Sequence, residues 1–267
     1  MKKITIILLT LAIGACKPNP KKEETQQAVQ EKAEETKPPY PEALSKVFDA
    51  HGGLEQWRKQ RTLSFVLPNP ENPETHTVDL WSRKDRVDTK QYTMGYDGKE
   101  IWLLDPDENY KGNAAFYHNV MYYFYGMPFL LSDNGITYSE TQDLIFEGKS
   151  YPGIHISFKT GVGASSKDEY ILHFDPETHQ MAWLGYTVTY GSGEKSDNVR
   201  WVRYNDWQTL NGVVLPKSIT WYNYQGRDIL DPRETASFEE AAVSTTPKPN
   251  GFYTKPEGGL VVEPKAN

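Results

Sequence analysis

The stretch from Asn113 to Asp133, NAAFYHNVMYYFYGMPFLLSD, is the longest apolar run beyond the first residues, and it interrupts a chain whose other segments read as strands. Phe116, Val120, Phe124 and Met127 recur at helical spacing, and Tyr117, Met121, Tyr123 and Tyr125 widen that face almost all round. Such a helix must be buried. It is a poor membrane span, because His118 and Asn119 interrupt it and Gly126-Met127-Pro128 breaks it after about three turns, short of the roughly 20 apolar residues a bilayer requires. A buried helix needs a shell, and the rest of the chain is suited to build one.

Strands are predicted at 62–67, 75–84, 86–93 and 99–104 before this run, and at 136–139, 143–146, 153–159, 169–174, 181–190, 199–207, 213–222 and 233–243 after it. Asp97-Gly98 and Asn211-Gly212 mark two-residue hairpins, and Gln225-Gly226 and Gly191-Ser192-Gly193 mark further reversals. Ahead of the strands, Pro41 opens a helix with Leu44, Val47 and Phe48 on one face, His51-Gly52-Gly53 stops it, and a second turn at 54–59 carries Trp57. Ten or more sequential strands with short connections predict a meander rather than a doubly wound α/β sheet. A sheet that wide must curl. The expected fold class is therefore mainly β (α+β), a large curved antiparallel sheet forming an incomplete β-barrel with helices packed in or across its concave face.

Residues 1–15 read as a signal peptide: Lys2 and Lys3 carry charge, Ile4 to Ile13 are apolar, and small residues follow. Ile13-Gly14-Ala15-Cys16 resembles a bacterial lipobox, which implies that Cys16, the sole cysteine, becomes the first mature residue and is lipidated. Residues 16–41 are nearly free of apolar side chains and rich in charge and proline, the composition of a disordered tether. Lys21-Lys22-Glu23-Glu24 is similar to an export tag found after such cysteines but sits a few positions late, so periplasmic and surface-exposed faces both stay open. The domain proper is expected at 42–245, followed by a Pro/Gly-rich tail at 246–267 with at most one edge strand, at 260–262.

Phe48-Asp49-Ala50-His51-Gly52-Gly53-Leu54 with Trp57, the hairpin YDGKEIW at 96–102, and Asp206-Trp207 followed by Gly212 and Leu215-Pro216 resemble an uncharacterised family of bacterial lipoproteins. That family is itself similar to the lipoprotein-carrier superfamily of Lol-type proteins and outer-membrane lipoprotein-sorting proteins. The resemblance spans most of 42–245. It implies an incomplete barrel whose helices close the mouth and whose hollow binds acyl chains, and it transfers no catalytic residue. A lipobox of its own separates this chain from soluble carriers and favours an anchored acceptor or binder.

A formal net charge of -7, with no Lys/Arg cluster interleaved with aromatics in the folded part, excludes nucleic acid as a partner. There is no GxSxG elbow, and Gly161 and Gly163 join two strands rather than a strand and a helix. Asp105, Asp107 and Asn109 open like a calcium loop, but Tyr110 and Phe116 stand where Gly and Glu are needed. If Ile154, Ile156 and Phe158 pair with Phe174, Leu172 and Tyr170, His155 falls opposite His173, a weak candidate pair for a metal that would still lack a third ligand. No cofactor is expected, and no enzyme, because nucleophile, base and orienting group cannot be named.

The chain therefore reads as a lipoprotein of the bacterial cell envelope, lipid-anchored at the outer membrane, binding an acyl chain or lipidated peptide in the hollow of a half-barrel. Phe116, Val120, Met121, Phe124 and Met127 from the helix, and Trp102, Trp183, Tyr186 and Trp201 from strands, are the expected lining. Two alternatives stand beside this reading. One is a non-catalytic structural or interaction lipoprotein whose hollow is filled by its own side chains. The other is a carbohydrate-binding envelope protein using a row of Trp81, Trp183 and Trp221.

Overall fold

In the computed structural model, residues 39–159, 167–190 and 194–263 are described. The signal segment, Cys16 and the tether up to residue 38 lie outside them. The elements run α1 (Glu42–Ala50), α2 (Leu54–Lys59), β1 (Thr62–Leu67), β2 (Glu74–Asp79), β3 (Asp85–Asp88), β4 (Thr93–Tyr96), β5 (Ile101–Leu104), α3 (Ala114–Tyr117) and α4 (Val120–Tyr125). After a 3-10 turn at Phe129–Ser132 come β6 (Ile136–Glu140), β7 (Leu144–Phe146), β8 (Lys149–Tyr151), β9 (Gly153–Phe158), β10 (Glu169–Phe174) and β11 (Met181–Tyr186). The chain continues through β12 (Arg200–Leu210), β13 (Val213–Gln225), β14 (Asp228–Ser237), β15 (Glu239–Ser244) and β16 (Leu260–Val261).

The strands form two seven-stranded antiparallel sheets, ordered β15-β1-β2-β3-β4-β5-β16 and β14-β13-β12-β11-β10-β9-β6, with β7-β8 a separate hairpin. Phe238 alone separates β14 from β15. Ser237 pairs with Ser218 of β13, while Glu239 pairs with Val66 of β1. One long strand thus passes from the second sheet to the first and makes a single curved surface of the two, open between β6 and β16. Phe238 is buried inside the bend, its ring 5.3 Å from Phe65 and 4.3 Å from Tyr125. This is the incomplete barrel expected from the sequence, with one strand predicted at 233–243 resolved into two that serve different sheets.

Alternation along each strand decides what faces the hollow. Ile154, Leu172, Leu184, Val202 and Trp221 are cross-strand neighbours in one row of the second sheet; Phe65, His76, Val87, Met94 and Leu103 form a row of the first. The main core cluster fills the hollow and draws on both sheets, on Leu44, Val47 and Phe48 of α1, on Trp57 of α2, and on Met121, Tyr122 and Tyr125 of α4. Among the described residues no helix is long and apolar enough to cross a membrane.

The single helix expected over the apolar run is broken in two. His118 and Asn119 separate α3 from α4, and Gly126 to Pro128 end α4 after six residues. The break has a cause in the side chains: His118 turns to the carboxylate of Asp85 on β3, with Nδ1 2.8 Å and 3.0 Å from its two oxygens. The segment nevertheless lies in the hollow, and Tyr125, Met127, Phe129 and Leu131 are essentially inaccessible.

Two of the three motifs that carry the family resemblance, the HGG turn and the segment around Trp207 and Gly212, meet in space, with the His51 and Trp207 rings 4.4 Å apart. His51 is fully buried; its Nδ1 lies 3.1 Å from the Val214 carbonyl, and its Nε2 accepts the Met181 N–H at 3.1 Å. Those partners fix the neutral tautomer protonated on Nδ1. Burial pushes its pKa down to about 4, against the Val214 hydrogen bond. Gln56 donates to the Asn211 carbonyl at 2.7 Å, and Asn211 donates to Gln60 at 2.9 Å. The HGG turn and the Asn-Gly hairpin are the two halves of one joint that fastens the helical cap to β13.

Candidate functional site

Along its two long sides, the segment carrying α3 and α4 meets the curved surface in chemically different ways. Toward the second sheet the contacts are aromatic. Phe124 lies edge-on to Tyr186 at 5.2 Å and to Trp221 at 5.4 Å, and Phe116 packs against Tyr190 at 4.9 Å. Phe158 and Tyr170 add a further edge-to-face pair at 5.5 Å. Hydrogen bonds place these rings: Trp221 Nε1 donates to the Tyr186 hydroxyl, and the buried Tyr204 hydroxyl donates to the Phe124 carbonyl, each at 3.0 Å. Phe116, Val120, Tyr123 and Phe124 remain only half-buried, as do Phe158, Tyr170, Val188 and Trp221 across from them. Partly exposed apolar side chains therefore line both sides of the seam where α3 and α4 cross the sheet.

Toward the first sheet a polar network stands beside apolar packing of Tyr125 on Phe65, at 4.5 Å, and of Ala114 with Val87 and Met94. Glu74 receives the Tyr117 hydroxyl at 2.7 Å and His76 Nε2 at 3.2 Å, while His76 stacks on Phe65 with ring centroids 4.8 Å apart. Burial raises the Glu74 pKa, but the hydrogen bonds from His76 and Tyr117 outweigh it and hold the carboxyl below its usual range. Asp85 goes the other way, because burial outweighs its bond to His118 and raises its pKa. Arg83, in the left-handed region at φ 60°, clamps both oxygens of Asp133 at 2.6 Å and 2.8 Å and also donates to the Tyr122 hydroxyl. Among the described residues no group of three His, Cys, Asp or Glu side chains is placed to hold a metal ion.

Met121, Met127 and Tyr186 belong to the cluster in the hollow, with Val120 and Phe124 packed against it; Phe116 lies at the edge of the seam on Tyr190. Trp183 and Trp201 do not join them. Both belong to a second cluster on the outer face, beneath the hairpin of β7 and β8, with Leu144, Tyr151 and Ile171. Strand parity is the reason: Leu184, Val202 and Tyr204 take the inward positions, so their neighbours point out. Trp102 is likewise turned away from the hollow, its indole N–H donating to the Tyr253 carbonyl of the C-terminal segment at 3.1 Å. Trp81, Trp183 and Trp221 form no row for a sugar, since Trp183 is buried outside, Trp221 faces the hollow and Trp81 stands exposed on the β2–β3 turn.

The pairing of His155 with His173 is also overturned. The observed register sets His155 against Ile171 and His173 against Gly153, two residues from the expected alignment. Gly153 permits this because the His173 ring lies over it, 2.5 Å from where a Cβ would stand. His173 is fully buried, with Nδ1 2.9 Å from the Tyr151 carbonyl, and burial pushes its pKa down to about 4. His155 instead meets Glu169 at 3.2 Å. Tyr170, Tyr190 and Trp221 also belong to the seam without having been expected as lining; the inward parity of β10 and β13 signals Tyr170 and Trp221, whereas Tyr190 lies beyond the end of β11.

The model of a family of unknown function, DUF6503, matches residues 2–231. The chain belongs to that family. Comparison with curated proteins returns no match. Among solved structures, a LolA superfamily protein from Nitrosomonas europaea is similar at 8% identity and a TM-score of 0.47, over 78% of this chain and 96% of that one. A putative outer membrane lipoprotein-sorting protein domain from Vibrio parahaemolyticus is similar at 9% identity and 0.41, over 78% and 97%. A DUF1329 family protein from Desulfovibrio piger is similar at 9% identity and 0.43, over 73% and 90%.

Proposed function

We propose that this DUF6503 protein is an envelope lipoprotein, anchored through Cys16 at the outer membrane, that binds an acyl chain or lipidated peptide in the seam between α3–α4 and the second sheet. One observation carries the reading. Phe116 packs on Tyr190 and Phe124 on Tyr186 and Trp221, yet these two and Val120 stay half-buried where Met121 and Tyr125, on the same segment, are closed in. An apolar surface left open inside a curved sheet is the setting in which a linear apolar ligand gains most from burial, at about 25 cal/mol per Å² removed from water. The lipobox-like sequence supplies the membrane context. No catalytic role enters the proposal.

The test is native mass spectrometry with lipid extraction on protein expressed without residues 1–16, so that the anchor itself contributes no lipid. Co-purifying acyl species that organic solvent removes and that rebind support the reading. Protein that carries none and takes up none contradicts it.

A further inference from the structure

Tyr186, whose ring meets Phe124 and whose hydroxyl receives the Trp221 indole N–H, is the last residue of β11. Arg200, the first residue of β12, is its cross-strand partner. Opposed residues of neighbouring strands share a face, so Arg200 stands on the side of the sheet that meets α4. On β14, Arg233 lies between Pro232, the partner of Tyr222, and Glu234, the partner of Trp221. The Tyr186 hydroxyl feels both guanidinium groups: burial raises its pKa, while the Trp221 hydrogen bond, Arg200 and the charge of Arg233 pull it down.

Both arginines are exposed, and among the described residues neither makes a salt bridge. Two acids stand nearby and engage neither of them. Asp168, whose charge bears on Tyr170, accepts the Thr189 N–H at 2.6 Å and the Thr189 hydroxyl at 2.8 Å. Glu234 is exposed and forms no salt bridge among the described residues. The aromatic side of the seam thus ends at two guanidinium groups in contact with water. Such a surface is amphipathic: a chain gains from the rings, and an anionic group gains charge-assisted hydrogen bonds at the rim.

We propose that the ligand of the seam is an anionic amphiphile, its chain against Phe124 and Trp221 and its carboxylate or phosphate held at the rim by Arg200 and Arg233. This inference rests on the seam reading given above and adds the charge of the ligand to it. A free fatty acid and a phospholipid-type phosphate share the required chemistry.

Calorimetric titration of protein lacking residues 1–16, which keeps every described residue, tests it with three ligands of one chain length below their micelle thresholds. These are dodecanoate, dodecyl phosphate and the neutral glycerol ester of dodecanoate. At least one anion is expected to bind at least about tenfold more tightly than the ester, the scale of a hydrogen bond to a charged group. Preference for dodecanoate alone identifies a fatty acid, and preference for dodecyl phosphate alone a phosphate headgroup. The double variant Arg200→Gln/Arg233→Gln is expected to bind the anions no more tightly than the ester. Because Arg200 also bears on Tyr186, Arg233→Gln alone, at an exposed position of β14, is the second variant and is expected to weaken anion binding. Equal affinity for anions and ester, or anion affinity that neither variant changes, overturns the charged rim and leaves the seam reading standing. Binding of none of the three overturns both.

Discussion

Gly52 and Gly212 meet backbone to backbone, and a Cβ on Gly52 would stand 2.2 Å from the Gly212 carbonyl oxygen. Gly52 also sits at φ 97°, in the left-handed region. Gly52→Ala therefore meets both conformational strain and a clash with backbone that cannot rotate away. A loss of more than about 3 kcal/mol is expected in urea unfolding. An alanine variant within 1 kcal/mol of wild type, about the size of an ordinary point-mutant effect, would mean that the two turns do not touch in solution.

His51 and His173 are neutral in the folded protein, with pKa values pushed down to about 4 by burial from an ordinary 6.5. Between about 6.5 and 4 the unfolded chain binds more protons than the folded one, so these two groups make stability fall as pH falls. Each accounts for up to about 3 kcal/mol across that window. Asp85, with its raised pKa, acts in the opposite direction. The measurement is therefore a difference: urea unfolding from pH 7 to pH 4.5 for wild type and for His173→Asn, whose side chain does not titrate. The variant is expected to lose its share of the slope.

The Asp85–His118 pair is buried on both sides, with side-chain exposures of 3% and 6%. His118→Leu leaves a carboxylate in the core without its partner and is expected to cost about 3–5 kcal/mol. Replacing both residues by leucine removes the stranded charge as well, so the double variant is expected to be more stable than the single one. A double-mutant cycle by chemical denaturation reads this coupling directly.

The anchor makes a separate prediction. Cys16→Ser is expected to move the protein from the membrane to the soluble fraction, and intact mass analysis is expected to find acyl groups on the wild-type chain alone. Equal membrane partition of the two would remove the anchor while leaving the seam untouched.

Much of the architecture was legible because hydrophobic alternation and turn chemistry are local. Asn211-Gly212 and the alternation on either side of it identify β12 and β13, and the apolar face of Leu44, Val47 and Phe48 identifies α1. Long-range pairing was not legible. Nothing near Phe238 signals that one strand changes sheets there, and the register of β9 against β10, which sets the ring of His173 over Gly153, is a long-range fit. Facing was read one residue out for Trp183 and Trp201, because tryptophans draw attention as lining while the inward positions beside them hold Leu184 and Val202. His51 looked like an ordinary helix end; only the return of β11 and β13 onto it makes both ring nitrogens structural.

Uptake of a fluorescent fatty acid by protein lacking residues 1–16, compared with the variants Phe124→Asp and Trp221→Asp, tests the central claim most directly. Saturable uptake by the parent protein, lost in both variants while their thermal unfolding stays cooperative, is the expected result. No uptake by the parent protein, or uptake that a charge at Phe124 and at Trp221 leaves unchanged, would contradict a ligand site in the seam.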